Sequence, residues 1–461
     1  MKKFSNACVN LMQRYLPDAF IFAIILTILT FVLSLITTGQ SVMELVVHWG
    51  DGVWSLLAFT MQMALVLVLG NALASSKPVK NLLVKIASRV STPNGAIMLV
   101  SFVSAVACWL NWGFGLIVGA LLAKELAKRV KNVDYRLLIA SAYSGFVVWH
   151  AGVSGSVPLA VASNVDEVIK VTQNALSTTI PVTETLFSWQ NLVMVWVVIF
   201  ALPFINRAMH PDPDKVVQVD PRIFLEEEAA EEEMEAELEH AAKESTPATR
   251  LENSRILSFF VVAISAIFLV RHFALNGLDL SLDIVNLIFL TLGVLFHGTP
   301  IRYVMAINDA VRGAGGIILQ FPFYAGIMGL MTGANADGIS LGTQITNWFL
   351  SISNQTTFPM FTFWAAGLIN VFVPSGGGQW AVQGPIMMPA SLRLGVDPGI
   401  TAMAIAWGDA WTNMIQPFWA LPALGLAKLS AKDIMGYCVV VLLVVGAFIS
   451  LAFLAWAGLF A

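Results

Sequence analysis

The chain has 461 residues, of which 57% are hydrophobic and only 12% are charged, and its mean hydropathy is +0.77. This composition excludes a soluble globular protein of that length and predicts an all-α polytopic membrane protein. The formal net charge is only -4, and no basic patch of the kind that binds nucleic acid is present, so no nucleic-acid partner is expected.

The residues that enzymes and metal sites depend on are sparse. Cys8, Cys108 and Cys438 are scattered and form no C-x-x-C pair, so we expect no disulfide framework, no metal and no cofactor. The sequence also lacks a nucleotide-binding loop, a G-x-S-x-G elbow and an H-E-x-x-H helix. The chain is therefore not expected to hydrolyse ATP or to act as an enzyme.

The first half, residues 1–206, begins with a basic segment. Lys2, Lys3 and Arg14 place the N-terminus in the cytoplasm, because basic residues flank membrane helices on that side. Apolar runs over 19–36 and 53–73 are long enough to cross a membrane, so they predict the first two spans.

The next apolar segment, 95–123, is interrupted at Asn111-Trp112-Gly113 and has basic clusters at both ends. Because both ends must lie inside, and each arm has only about a dozen to sixteen residues, the pattern predicts a re-entrant hairpin with its tip near Asn111. The following span, 137–162, is broken between His150 and Pro158, and a helix over 189–205 returns inside.

A polar insert separates the two halves. Residues 207–255 contain a glutamate-rich run and are predicted to form an acidic cytoplasmic linker. Residues 256–281 then supply one connecting helix. Since a single extra crossing joins the halves, the second half should be inverted relative to the first.

The second half, residues 282–461, repeats the pattern of breaks. An apolar arm over 358–372 leads into the glycine-rich tip V-P-S-G-G-G-Q-W, where proline and glycine cannot continue a helix. The span 401–427 is broken around Asp409 to Gln416. We therefore predict an inverted-repeat secondary transporter with two re-entrant hairpins, two broken helices and nine full spans.

The four polar breaks are predicted to meet near the middle of the membrane. Helices that begin there direct unpaired N–H groups and positive dipole ends inward, which suits a carboxylate. No lysine or arginine occurs at the breaks, which favours a small monoanion. The residues predicted to bind substrate are Asn111, Trp112, Gly113, His150, Ser154, Ser156, Ser375, Gly376, Gly377, Gly378, Gln379, Thr412, Asn413 and Gln416.

Asp409 and His150 are the ionisable residues deepest in the predicted spans. A charged group there is costly and is a functional hypothesis by default, so both are predicted to couple transport to an ion. For His150, a neutral imidazole hydrogen-bonded to a carbonyl is an equal alternative.

Five motifs together resemble the AtoE-type short-chain fatty acid transporters. They are R-Y-L-P-D-A-F near the N-terminus, N-W-G-F-G, F-P-F-Y-A-G-I-M-G over 321–329, V-P-S-G-G-G-Q-W, and W-G-D-A-W-T-N-M-I-Q-P-F-W. The resemblance covers nearly the whole chain except the acidic insert. It implies uptake of short-chain fatty acids such as butyrate or acetoacetate across a bacterial inner membrane. Membership of the wider ion-transporter group of folds would also imply a homodimer with a scaffold and a moving transport domain.

The hairpin tips also bear on the coupling ion. Sodium-coupled dicarboxylate relatives in that group carry Ser-Asn-Thr at their hairpin tips, whereas these tips read Asn111-Trp112-Gly113 and Ser375-Gly376-Gly377. We therefore expect proton symport in the lipid bilayer, with a cytoplasmic N-terminus and a periplasmic C-terminus. The alternatives left open are a sodium-coupled carrier of another small carboxylate and an integral-membrane enzyme acting on acyl groups.

Overall fold

A computed structural model describes residues 2–163, 174–225, 246–277 and 281–459, with isolated residues at 165, 168, 169, 172, 229, 232 and 236. Within these residues every regular element is a helix. Most of the glutamate-rich run that was predicted to form the acidic linker lies outside the described residues.

The helices of the first half form an ordered series. They are α1 (Lys2–Tyr15), α2 (Ala19–Thr37), α3 (Val42–Val53), α4 (Leu57–Ser75), α5 (Lys77–Ala87), α6 (Pro93–Leu110), α7 (Trp112–Arg129), α8 (Tyr135–Ser144), a 3-10 helix (Gly145–Ala151), α9 (Ser156–Ser163) and α10 (Trp189–Ala208). A short 3-10 helix, Pro213–Lys215, follows α10.

The helices of the second half continue the series after the insert. They are α11 (Pro247–Glu252), α12 (Arg255–Asn276), α13 (Leu282–His297), α14 (Pro300–Ala310), a 3-10 helix (Val311–Ala314), α15 (Gly315–Thr332), α16 (Leu341–Ser351), α17 (Phe358–Asn370), α18 (Gly376–Leu394), α19 (Pro398–Thr412), a 3-10 helix (Asn413–Ile415), α20 (Pro417–Ala427) and α21 (Ala431–Leu459).

The described helices include seven that are long and apolar enough to cross a membrane, which confirms a polytopic helical membrane protein. They are Phe20–Thr37, Pro93–Leu110, Tyr135–Ala162, Trp189–Ala208, Pro247–Asn276, Gly315–Thr332 and Ala431–Trp456. Three shorter apolar helices, Thr60–Ser75, Asp283–His297 and Pro417–Ala427, accompany them. The count of nine full spans stays a prediction.

The order of elements in α2–α10 recurs in α13–α21. In each half an apolar helix of 16 to 19 residues, a short helix and a second apolar helix of 18 or 19 residues are followed by an 11-residue helix. A helical hairpin, a broken helix and a closing helix then complete each half. The two halves therefore use the same succession of elements.

The two hairpins enter the molecule from opposite ends. The base of α6–α7 lies beside Lys2, because Lys2, Pro93, Asn132 and His210 line one cavity. The base of α17–α18 lies near the start of α19, where Gly399 packs against the Glu184 carbonyl. Helix α10 begins just after Glu184 and runs 20 residues, about 30 Å, toward His210. We call these the Lys2 end and the Glu184 end.

The broken helices also run in opposite directions. The α8–α9 segment leaves the Lys2 end, where the Tyr135 amide donates to the Val217 carbonyl. The α19–α20 segment leaves the Glu184 end and finishes at Ala427, whose carbonyl accepts a 3.0 Å hydrogen bond from the Tyr135 hydroxyl. The breaks of both segments therefore fall between the two ends.

The first hairpin differs from prediction in the length of its arms. Helices α6 and α7 have 18 residues each, which is about 27 Å, rather than a dozen to sixteen. Small residues let the arms pack closely, since a Cβ on Gly115 would lie within 2.5 Å of the Cys108 backbone. The short-arm argument for a re-entrant hairpin was therefore wrong, and re-entrance itself stays a prediction.

Candidate functional site

Each hairpin tip is a helix start built by one capping side chain. Asn111 has extended backbone, ends α6, and accepts a 3.0 Å hydrogen bond from the Phe114 amide through Oδ1. Ser375 is also extended, and its Oγ accepts from the Gly378 amide at 3.4 Å. Such caps leave the first amides of the following helix without intrahelical acceptors.

The first tip is joined to the first broken helix. The Trp112 amide donates to Ser154 Oγ at 3.1 Å, and the Val153 amide donates to the Trp109 carbonyl at 2.8 Å. Gly152 is required here, because a Cβ on it would lie 2.2 Å from the Trp109 carbonyl oxygen. Two predicted binding residues, Trp112 and Ser154, are thus in direct contact.

The second tip lies against the same broken helix. A Cβ on Gly376 would come within 2.7 Å of His150 Cε1 and 2.9 Å of Ser156 Cβ, so only glycine allows this approach. The N-terminal turns of α9 and α18 therefore both adjoin His150. Of the predicted residues, His150, Ser156 and Gly376 form one cluster.

His150 and Asp409 meet inside the protein. Both side chains have 0% exposure, and His150 Nδ1 lies 3.2 Å from Asp409 Oδ1. His150 Nε2 accepts a 3.0 Å hydrogen bond from the Val157 amide. An acceptor nitrogen carries no proton, so the ring is the neutral tautomer with its proton on Nδ1, facing the carboxyl group.

The contact does not satisfy the carboxyl group. The alignment at His150 Nδ1 falls outside hydrogen-bond geometry, and neither Asp409 oxygen accepts a hydrogen bond from a described residue. An ionised carboxylate that is buried without donors costs several kcal/mol, whereas protonation removes that cost. Asp409 is therefore a buried carboxyl group without a hydrogen-bond donor among the described residues.

Three predicted binding residues in the second broken helix have structural partners. Thr412 Oγ1 donates to the Gly367 carbonyl at 2.8 Å, and Gln416 Nε2 donates to the Val371 carbonyl at 2.6 Å. Asn413 lies between Trp149 Nε1 and Asn370 Oδ1, at 2.8 Å from each. These hydrogen bonds connect the break in the second broken helix to the C-terminal end of α17.

The remaining predicted residues differ in solvent exposure. Gln379 is buried and donates to the Ala366 carbonyl and to Gln383 Oε1, within its own hairpin. Gly113 is buried in the first turn of α7. Gly378 is partly buried beside Met328, whereas Gly377 is exposed, and a Cβ added to it would have no atom within 4 Å.

Sequence reasoning missed two buried asparagines. Asn370 Oδ1 accepts from both Thr412 and Asn413, and Asn191 Nδ2 donates to the Ala151 carbonyl next to His150. Each is a polar residue in an apolar helix, which is the signal that was available, because lipid offers such a side chain no partner.

Aromatic rings form one wall of the site. Trp112 packs against Trp149 at 5.9 Å and against Trp419 at 5.1 Å between ring centroids. Trp411 on α19 instead donates from Nε1 to the Leu442 carbonyl on α21. Among the described residues no group of three or more His, Cys, Asp or Glu is placed to hold a metal ion.

One family profile and two named relatives match nearly the whole length of the chain. The profile of the family described as "Short chain fatty acid transporter" matches residues 1–455. A relative from Escherichia coli strain K12, named "Putative short-chain fatty acid transporter", is 46% identical over 96% of this chain and 97% of its own. A Haemophilus influenzae relative with the same name is 42% identical over the same shares. The crystal structure of the Alcanivorax borkumensis YdaH transporter aligns over 96% of this chain and 99% of its own, with a TM-score of 0.41 and 16% identity.

Proposed function

Since the chain belongs to the short-chain fatty acid transporter family, we propose that it takes up monocarboxylates of the butyrate and acetoacetate class by proton symport across the bacterial inner membrane. The family and the relatives are transporters rather than enzymes, so the acyl-group enzyme is set aside. The observation that carries the proposal is the buried contact between His150 and Asp409 where two helix starts meet.

The substrate carboxylate would be held by backbone amides at the second tip. The first amides of α18, at Gly376 and Gly377, have no intrahelical acceptor and lie at the positive end of the helix dipole. Gly377 is exposed, so its amide is within reach of a molecule entering beside the tip, whereas Gly376 is buried. A site without lysine or arginine suits a single negative charge.

The proton would be carried by Asp409. Val157 holds His150 in its neutral form, so the carboxyl group is the one that gains and loses charge. One proton on Asp409 and one substrate anion together add no net charge, so the loaded carrier has the same charge at this site as the empty carrier with an ionised Asp409. This removes the cost of moving an anion toward a negative cytoplasm.

Alternating access from an inverted repeat is part of the proposal. Residues 1–206 and 282–461 would be the two repeats, joined by the linker 207–255 and the connecting helix 256–281. The recurring order of elements and the opposite entry of the hairpins support this arrangement. A homodimer, a cytoplasmic N-terminus and a periplasmic C-terminus complete it, the homodimer on the basis of the resemblance alone.

The test is uptake of labelled butyrate by proteoliposomes that contain only this protein. We expect accumulation when an inward proton gradient is imposed and none when it is collapsed. Asp409→Asn should abolish accumulation while leaving part of the butyrate exchange. Asp397→Asn is the matched control, because it removes a carboxylate at the start of the same helix and asparagine caps a helix as well as aspartate does.

Two results would count against the proposal. Lack of uptake under every imposed ion gradient would remove the transporter function itself. Uptake that requires sodium and ignores the proton gradient would show that the coupling ion is sodium and that the proton is wrong.

A further inference from the structure

A cavity of about 400 Å³ opens at the Lys2 end, between the α1–α2 junction, the start of α15 and the α20–α21 connection. Its size falls within the range of small-molecule pockets, about 300–1,000 Å³. Apolar lining comes from Ile317, Leu421 and Leu424, among others. The polar lining residues are Gln13, Asp18, Gln320, Ser430 and Lys432. None of its lining residues belongs to the four polar breaks, so it is separate from the site described above.

One stripe of α15 connects this cavity with the second hairpin tip. Gly316, Gln320, Tyr324 and Met328 are spaced four residues apart and so lie on one face of the helix. Gly316 and Gln320 line the cavity, whereas Met328 Sδ would lie 2.9 Å from a Cβ on Gly378. The α15 stripe therefore runs from the cavity to the tip where the substrate carboxylate is proposed to bind.

The stripe carries polar atoms without partners. Gln320 is 5% exposed and Tyr324 is fully buried, yet Gln320 Oε1 and the Tyr324 hydroxyl make no hydrogen bond to a described residue. A buried polar atom without a partner costs about 1–3 kcal/mol, so stability does not explain why these two are there. The Tyr324 hydroxyl and the Gln320 Nε2 group can donate to a carboxylate, whereas Gln320 Oε1 can accept only from a protonated carboxylic acid.

An aromatic stack lies beside the middle of the α15 stripe. Phe321 stacks on Phe418 with ring centroids 3.9 Å apart, and Tyr324 packs edge-on against Phe418 at 5.1 Å. Each helix that carries the stack contains an internal proline, Pro322 in α15 and Pro422 in α20. Proline removes a backbone hydrogen bond and bends a helix, so the two rings lie on helical segments that can change their bend angle.

We propose that the α15 stripe is the track along which a short-chain monocarboxylate passes between the second tip and the Lys2-end cavity. Gln320 and Tyr324 contact its carboxyl group on the way, and the Phe321–Phe418 stack is the gate between cavity and tip. The inference rests on the proposed transport function and adds its route and gate.

The first experiment separates a role in transport from a role in folding. Tyr324→Phe removes a hydroxyl, and Gln320→Leu removes a carbonyl oxygen, that has no partner among the described residues, so neither should lower the melting temperature. Both should slow butyrate transport by about tenfold, because each removes a donor, the Tyr324 hydroxyl or Gln320 Nε2, that can bond the substrate carboxyl group. Tyr135→Phe is the control. Its hydroxyl donates to the Ala427 carbonyl, so this variant should melt earlier and transport normally for each folded molecule.

The second experiment tests the gate. Phe418→Leu and Phe321→Leu should raise downhill butyrate leak, without an imposed proton gradient, by about two- to tenfold, which matches the strength of one aromatic pair. Phe453→Leu is the control, because it removes a buried stack with Trp456 on α21 instead.

The outcomes are distinct. If the wild-type protein takes up butyrate and all four variants show its transport rate and its leak, the track and the gate are wrong, while the proposed transport function stands. Absence of wild-type uptake overturns the proposed function, and the track with it.

Discussion

Adding one methyl group at the second hairpin tip should disable the site, whereas adding it one residue later should not. In Gly376→Ala the new Cβ would stand 2.7 Å from His150 Cε1, 3.0 Å from His150 Nε2 and 2.9 Å from Ser156 Cβ. In Gly377→Ala the new Cβ would have no atom within 4 Å. The two variants change the same residue type in the same helical turn, so each controls for the other.

The size of the effect follows from how little His150 can move. Carbon atoms pack at about 3.5–4.0 Å, so the tip must retreat by about 0.8 Å. His150 is held by the Val157 amide and stacks on Trp149 at a 4.2 Å centroid distance, so it cannot yield. Overpacking of this kind costs about 1–3 kcal/mol. In Gly377→Ala, alanine is the better helix former, so no loss is expected.

Two measurements on the purified variants decide the matter. Gly376→Ala should unfold at lower temperature than the wild type and should take up labelled butyrate at least about tenfold more slowly per reconstituted molecule. Gly377→Ala should keep the wild-type melting temperature, because its new Cβ meets no atom within 4 Å. If the two variants behave alike, the close seating of the second tip on His150 is wrong, and with it the geometry of the proposed site.

Three further predictions concern other parts of the chain. Asn370→Ala should lower the free energy of unfolding by about 1–3 kcal/mol, measured by thermal unfolding, because it leaves the buried Asn413 Nδ2 donor without its partner. Burial lowers the pKa of His210 below its ordinary 6.5, so as the pH falls the unfolded chain takes up a proton on this residue before the folded protein does. The free energy of unfolding should therefore be fully present above pH 6.5 and should decrease as the pH drops toward the folded pKa. The decrease should be smaller in His210→Asn, measured by thermal unfolding at a series of pH values. A single cysteine at Ala461 should react with an impermeant maleimide from the periplasmic side, and labelling from the cytoplasmic side would contradict the proposed topology.

Local rules in the sequence determined where the helices lie and where they break. Apolar length predicted the spans, since a hydrocarbon core of about 30 Å requires about 20 residues. Proline and glycine predicted interruptions near Asn111, His150, Ser375 and from Asp409 to Gln416. Helices end or begin beside the first three, whereas α19 continues through Asp409 to Thr412, so the last break begins only at Asn413. These signals act within a few residues of the chain, so they can be read without knowing the fold.

The partners of the polar side chains were decided only by the tertiary structure. Thr412, Asn413 and Gln416 were predicted to bind substrate, yet they bond to Asn370 and to backbone carbonyls of the neighbouring hairpin. In lipid a polar group must find its partner inside the protein, and which partner it finds depends on packing between distant segments.

The charge properties of the site depended on packing in the same way. The sequence placed His150 and Asp409 at membrane depth but left open which of them responds to a proton. The fold brings the Val157 amide to His150 Nε2 and leaves both oxygens of Asp409 without donors among the described residues. A side chain's protonation is set by its immediate neighbours, and here the contact of His150 with Asp409 joins residues far apart in the chain, so only the folded protein shows that Asp409 is the group to test.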